Sequence, residues 1–414
     1  MAGEVISDLK FQISDSAHLP SPIFHLPFSV RVLHVIPSLS PSQGGPSFAL
    51  PAMARALQAE GVEVDVATTD DDGPGRRLSL GAGPVQRECY RLWSFPKQTE
   101  FYKVSLPLAR WLNRHVRDYD LVHIHTVFSF ATGAAARAAQ RAGVPYLVRP
   151  LGVLNRWGME QRRPWLKALS FRLLDKPLLD RAAGLHFTSV QERDEAAGLG
   201  LRAPARVLPL GFDLAEFEAL PPAARFHEAF ADAAGRPLVL YLSRLDPKKN
   251  LEGLLAAWAQ VTGPARLVIA GEGDPAYTAG LRERAAQLGL GDRVLWTGRL
   301  EGELKRAALA AATLFVLPSH SENFGIALLE AMAAGRPCVS TPGVALAVEA
   351  GDAVRVVAAE AGALATALQD LLGDADARAR LGAAAQELAG RRYTLLAMGR
   401  ELKAWYEEVT HASA

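Results

Sequence analysis

Glu322 and Glu330 are two carboxylates eight residues apart in the run Ser319-His320-Ser321-Glu322-Asn323-Phe324-Gly325-Ile326-Ala327-Leu328-Leu329-Glu330. If the intervening segment is helical, that spacing is about two turns. The apolar run Thr313-Leu314-Phe315-Val316-Leu317, ended by Pro318, reads as a buried parallel strand leading in. Strand, polar loop and helix then put Glu322 in the loop and Glu330 on the facing side of the helix. Gly325 opens the helix, and its missing Cβ lets a ligand approach the amides from Phe324 through Ile326 to Ala327. Unpaired amides and the positive end of the helix dipole suit phosphate oxygens. Amides for a diphosphate, with carboxylates on either side for hydroxyls, are what a sugar nucleotide requires.

A second cluster, Ser243-Arg244-Leu245-Asp246-Pro247-Lys248-Lys249-Asn250, follows the apolar run Pro237–Leu242 and precedes a helix. Arg supplies a planar fork and Lys a point charge, a natural pair for two phosphates that gain charge as a sugar departs. Earlier in the chain, Gly44 and Gly45 stand at a strand-to-helix turn, where paired glycines permit close approach to a diphosphate. They do not form Gly-x-Gly-x-x-Gly, which lowers the dinucleotide-dehydrogenase reading. His123 and His125 alternate onto one face at the end of a strand, the end at which parallel sheets build sites. A metal there would need a third ligand, and none sits nearby in sequence. Asp70-Asp71-Asp72 follows a strand away from the phosphate elements and reads as a polar loop.

The Glu-x7-Glu spacing, with its Asn-Phe-Gly-Ile-Ala interior and trailing Ala-Met-Ala-Ala-Gly-Arg-Pro, resembles the signature of the retaining glycosyltransferases of family 4, which have the two-domain GT-B fold. The resemblance implies that Glu322 contacts the donor sugar and Glu330 the nucleotide ribose. The family's Arg-x-x-x-x-Lys matches Arg244 and Lys249, with Lys248 as the alternative lysine. Asn250 stands where the family usually has Gly, a mild departure because Asn tolerates turn and cap conformations. Gly45, and after it Gly44, would face the donor diphosphate. His125 would lie near the donor sugar and β-phosphate, with His123 packed beneath. Gly271, in Gly271-Glu272-Gly273, and Leu300, in Gly298-Arg299-Leu300, would line the base pocket. After Val339-Ser340-Thr341 many relatives carry Gly-Gly-x-Pro-Glu, whereas this chain has Pro342-Gly343-Val344-Ala345-Leu346. The implied activity is transfer of a hexose from a UDP- or GDP-sugar to a hydroxyl acceptor, a lipid-linked or polysaccharide intermediate of bacterial surface glycan synthesis. Glu322, His125, Arg244 and Lys249 form the catalytic set, no metal or other cofactor is required, and the leaving phosphate takes the acceptor proton in a front-face attack. Two readings compete: a non-catalytic nucleotide-sugar-binding protein, and a sugar-nucleotide epimerase of the same architecture.

The elements that must position these groups are short β-branched runs alternating with helix-length segments. Val30–Ile36, Val62–Ala67, Asp120–His125 and Val144–Arg149 read as strands, and the rhythm restarts at Pro237–Leu242. It continues through Arg266–Ala270, Arg293–Thr297, Thr313–Leu317 and Pro337–Ser340. Two such units predict an α/β chain of two doubly wound, Rossmann-like parallel sheets with ligands in the cleft between them. The boundary should fall between Asp213 and Arg236, after Pro209-Leu210-Gly211-Phe212-Asp213. That assigns residues 30–213 to an acceptor domain and 214–392 to a nucleotide-sugar domain. A last helix over 393–411 should cross back onto the first domain, as in the family.

At 414 residues the chain exceeds one typical core. A formal net charge of +1 argues against general nucleic-acid binding. From Val30 to Asp213 there are 24 Lys/Arg against 17 Asp/Glu, a mild cationic excess that suits an acidic acceptor or an anionic membrane surface. Arg156 to Arg181 mixes basic residues with Trp157, Trp165, Leu166, Leu169, Phe171 and Leu174, a pattern for peripheral membrane contact or for a helix burying its apolar side. Pelleting with anionic vesicles at low salt separates the two. Residues 1–29 lack the pattern of a signal peptide and read as a flexible extension. Cys89 and Cys338, both in apolar runs that read as strands, fit a reducing cytosol, so the expected location is cytoplasmic with possible contact to the inner membrane face.

Overall fold

The computed structural model describes residues 30–41, 45–79, 83–154, 169–322 and 324–413. The expected extension over 1–29, Gly44, Asn323 and the Arg156–Arg181 segment through residue 168 lie outside the described residues.

Eight strands form the first sheet: β1 (Val30–Ser38), β2 (Val62–Thr69), β3 (Pro84–Gln86), β4 (Arg91–Phe95), β5 (Leu121–His125), β6 (Tyr146–Arg149), β7 (Gly184–Phe187) and β8 (Ala205–Val207). Their order is β3-β4-β2-β1-β5-β6-β7-β8, and only β3 with β4 is antiparallel. Six strands form the second: β9 (Leu238–Leu242), β10 (Arg266–Ala270), β11 (Val294–Gly298), β12 (Leu314–Leu317), β13 (Cys338–Ser340) and β14 (Arg355–Val356). These pair in parallel in the order β11-β10-β9-β12-β13-β14. Helices pack on the faces, which gives two Rossmann-like units.

Apart from β11, a partly buried edge strand, the strands that match the sequence reading are those buried on both faces, where near-continuous Val, Leu and Ile leave no ambiguity. β3, β8 and β14 are short edge segments, and Gly-Leu-His-Phe in β7 has too little apolar periodicity to announce itself. Cys338 begins β13, but Cys89 lies in the turn between β3 and β4 instead of in a strand; both are buried and free.

Two apolar cores cover the faces of the first sheet and one fills the second domain. Residues 215–233 add Phe217, Phe226 and Ala233 to the second core. The helix Leu395–Ser413 instead lays Met398, Leu402, Trp405 and Tyr406 onto the first sheet beside Leu50, Met53 and Leu57 of the helix Gly45–Ala59. Gly399 permits this contact, because a Cβ there would come within 2.5 Å of the Ala56 carbonyl. The two crossings between domains are hydrogen-bonded to each other, with Phe212 N–H donating to Tyr393 O at 2.7 Å and Leu395 N–H to Phe212 O at 3.1 Å. On the opposite side Val190, just after β7, donates its amide to Glu349 Oε1 at 2.6 Å. Glu349 ends the helix Ala345–Glu349 that follows β13, so loops from the carboxyl ends of the two sheets meet across the cleft.

Candidate active site

β9 and β12 are neighbours, so the loops leaving their carboxyl ends run side by side, and His320 N–H donates to Lys248 O at 2.7 Å to tie them. Asp246 starts the first loop by accepting Lys248 N–H at 2.9 Å. Asn250 ends it in the left-handed conformation, φ 57°, with Nδ2 donating to Ala359 O at 3.0 Å, which is how asparagine replaces glycine there. Lys249 is thereby turned inward, only 7 % exposed, and its Nζ pairs with Glu322 Oε2. Glu322 is held in turn by its own N–H, which donates to Gly343 O at 2.7 Å.

Gly325 precedes the helix Ile326–Ala333 with φ 101°, a conformation that favours glycine, and Ile326 and Ala327 open the helix with no intrahelical acceptor for their amides. Phe324 is buried edge-to-face against Tyr393. Glu330, 9 % exposed on the same helix, accepts from Lys305 Nζ at 2.7 Å. Arg244 is exposed, and its guanidinium makes no ion pair among the described residues. The structure therefore brings Lys249, Glu322 and the helix start together, places Glu330 about one turn into that helix, and leaves Arg244 at the rim.

Gly271 sits where a Cβ would lie 1.9 Å from Ser243 O, so its first role is to let the Gly271–Gly273 strand end pack against Ser243–Leu245. Leu300 buries its side chain in the second core, so any contact with a base would come from its main chain. Gly45 begins its helix with nothing within 4 Å of an added Cβ.

In the first sheet His34 pairs in register with His123, and His125 with Arg149. His186 of β7 joins them, its ring 5.2 Å from that of His123 and edge-on to Trp405. Leu208 O accepts from His186 Nε2 at 3.0 Å, so His186 Nδ1 is a lone pair and must accept from His123 Nε2 at 3.3 Å. His123 Nδ1 then accepts from Tyr406 O–H at 2.7 Å, and the whole chain is neutral. Burial, followed by the Arg149 charge, holds His34 and His186 down to about 3, and burial also lowers His123 and His125 well below the ordinary value. His34, His123 and His125 bring three ring nitrogens within 4.8 Å of one another, the third ligand that sequence proximity did not show. They fit a cation poorly, because both nitrogens of His123 are committed to hydrogen bonds and the Arg149 guanidinium acts on all three rings.

Asp71 belongs to a buried network instead of a polar loop, accepting from Lys97 Nζ at 2.9 Å and Lys103 Nζ at 2.7 Å. The sequence reading also missed Lys305, Gly343, His34 and Arg149. Pro342-Gly343 is a turn signal, but the other three are isolated side chains whose partners lie far along the chain.

Residues 224–388 match the family described as glycosyl transferases group 1, and residues 44–211 the glycosyl transferase 4-like domain. A GDP-mannose:cellobiosyl-diphosphopolyprenol alpha-mannosyltransferase of Xanthomonas oryzae is 30% identical over 340 residues, 79% of this chain and 83% of its own length. This chain belongs to the group 1 glycosyltransferases. Another group 1 relative, a D-inositol 3-phosphate glycosyltransferase of Corynebacterium efficiens, is 28% identical over 92% of this chain and 95% of its own. The GT-B fold of the group is shared with sucrose-phosphate synthase of Thermosynechococcus elongatus, at a TM-score of 0.74 and 23% identity over 92% of this chain and all (100%) of that one. Anabaena HepE, solved with UDP and glucose, superposes at 0.72 with 20% identity and the same coverage. The group 1 glycosyltransferase described here is thus an enzyme of two Rossmann-like domains, and no described helix is long and apolar enough to cross a membrane.

Proposed function

We propose that this glycosyltransferase is retaining and moves a hexose from a UDP- or GDP-sugar to a hydroxyl of a lipid-linked or polysaccharide acceptor in bacterial surface glycan assembly. The observation that carries this reading is the Lys249–Glu322 pair beside the open start of the helix Ile326–Ala333. A lysine cation and open amides meet there, where a departing diphosphate would gain charge, so their stabilisation grows toward the transition state. Arg244 at the rim adds a second cation for the diphosphate. Glu322 accepts from hydroxyls of the sugar, and Glu330, fixed by Lys305, accepts from the ribose. His125, at the carboxyl end of β5, faces the sugar from the first domain, and Gly44 and Gly45 admit the diphosphate to the turn after β1. The acceptor oxygen attacks the anomeric carbon on the face the diphosphate leaves. The carbon–phosphate-oxygen bond breaks, and that oxygen takes the acceptor's proton, so the configuration is retained. Lys249, Arg244 and the helix amides supply the positive charge, and no metal is required.

Relatives act, by name, on inositol 3-phosphate, 2-deoxystreptamine and a cellobiosyl-diphosphopolyprenol, which supports a hydroxyl acceptor without choosing one. Leu169, Leu173 and Leu174 are exposed at the end of the basic segment, which supports a seat on the inner membrane face. Calorimetric titration with UDP, GDP, ADP and NAD tests the donor class. One diphosphate should bind selectively, and Lys249→Ala should lose that binding and reduce turnover by about 10²-fold or more. Tight NAD binding, or no nucleotide binding by the native protein, refutes the reading.

A further inference from the structure

Arg149 is the last residue of β6, in the middle of the first sheet at the carboxyl end, and only 3 % exposed. Among the described residues no hydrogen bond or ion pair reaches its guanidinium, and its Nε is sealed from solvent without a partner. The groups around it are His34, His123, His125 and His186, all neutral, the Glu192 carboxylate, which favours its charge but makes no ion pair with it, and the Tyr406 hydroxyl. Glu192 is already committed: Oε1 accepts from Gly152 N–H at 2.6 Å, and Oε2 from Thr188 N–H and Oγ1–H at 2.8 Å. A buried cation without a paired anion is costly, and such a cost persists where a ligand supplies the missing charge.

His125, the register partner of Arg149, shows the same deficit. Its Nε2 lies 2.9 Å from His34 Nδ1, while His125 Nδ1 and His34 Nε2 are buried with no partner. Either neutral tautomer of that pair leaves one bare N–H and one bare lone pair. The backbone beside both residues is strained, with Thr126 at φ 73°, Phe128 at 57° and Leu151 at 62° just beyond the carboxyl ends of β5 and β6. Left-handed non-glycines, a β-branched threonine among them, gather where structure is held for a site.

We propose that Arg149 and His125 form an anion subsite on the first-domain side of the cleft, and that the acceptor carries a phosphate or carboxylate that binds there. This deepens the glycosyltransferase reading and rests on it for the word acceptor. The anion pairs with the terminal N–H groups of Arg149, which unlike Nε are not sealed from solvent, and favours the tautomer that turns His125 Nδ1–H toward it, in which His125 Nε2 accepts from His34 Nδ1–H. The excess of Lys/Arg over Asp/Glu in residues 30–213 draws such a ligand to this domain and not to the other.

Inorganic phosphate, titrated by calorimetry and thermal melting into the native protein, Arg149→Met and Arg149→Lys, is the test. Phosphate should bind the native protein, about tenfold or more weaker in Arg149→Met, and Arg149→Lys should retain part of the affinity. In phosphate-free buffer Arg149→Met should melt higher than the native protein, because it removes an unpaired buried charge. A variant that melts lower or fails to fold, or phosphate binding indifferent to residue 149, overturns the subsite. A second arm repeats the titration with a saturating nucleoside diphosphate, UDP or GDP, whichever the protein binds. Phosphate that binds alongside that diphosphate supports an acidic acceptor, whereas competition would assign the anion to the donor diphosphate and overturn the proposal. Failure of both UDP and GDP to bind would refute the glycosyltransferase reading separately, without altering the Arg149 result.

Discussion

Lys249 and Glu330 pose the same problem, a charge turned into a largely buried setting, and each is solved by one counter-ion. Glu322 neutralises Lys249, and Lys305 neutralises Glu330. Such pairs keep both partners oriented more than they stabilise the fold. Lys305 is the less obvious member, since it touches only Glu330 in this network. Lys305→Met should raise the donor KM about tenfold and leave kcat little changed, because the ribose is bound equally in ground and transition states. Steady-state kinetics against donor concentration check this, and a parallel fall in kcat would place Lys305 nearer the reacting atoms.

At the scale of elements, glycines set how closely the loops of the site approach. A Cβ on Gly343 would lie 2.4 Å from the carbonyl oxygens of both Ser319 and His320, while its own carbonyl holds Glu322 N–H. The departure from the family's sequence after Thr341 thus preserves a glycine at the point of closest contact. Gly343→Ala should push the Ser319–Glu322 loop outward, cost about 1–3 kcal/mol of stability and weaken donor binding at least tenfold. Gly45→Ala is the contrast, since its Cβ meets no protein atom. It should leave stability unchanged and weaken the donor only, if the turn after β1 receives the diphosphate. Denaturant melts with nucleotide titrations separate the two, and equal loss of stability in both variants would contradict this account.

For the whole molecule, the buried histidines couple stability to pH. Each imidazole is neutral in the folded protein, with His34 and His186 held to about 3, but protonates near the ordinary value of 6.5 once unfolded. Between those values the unfolded chain binds more protons, so stability is full above 6.5 and falls as pH drops toward 3. The slope is up to about 1.4 kcal/mol per pH unit for each histidine. Thermal melts from pH 7 to 4.5 should show a steep decline, shallower in His186→Gln, which keeps a donor for Leu208 O. A flat profile would mean that the cluster is hydrated or charged in the folded state.

The local pattern of the chain was enough for the central strands, the two-sheet architecture and the pairing of a loop carboxylate with a helix start. Those features depend on side-chain alternation, glycine placement and runs of β-branched residues, all of which act over a few neighbours. Asn250 in its left-handed cap follows from the same local chemistry. The Lys249–Glu322 and Lys305–Glu330 pairs, the meeting of His34 with His125, and the solitude of Arg149 came only with the tertiary structure. In each of them the partners, or the missing partner, are decided by which strands and helices of a domain lie side by side. That order is set by crossover connections and burial across the whole domain, which no short stretch of sequence carries.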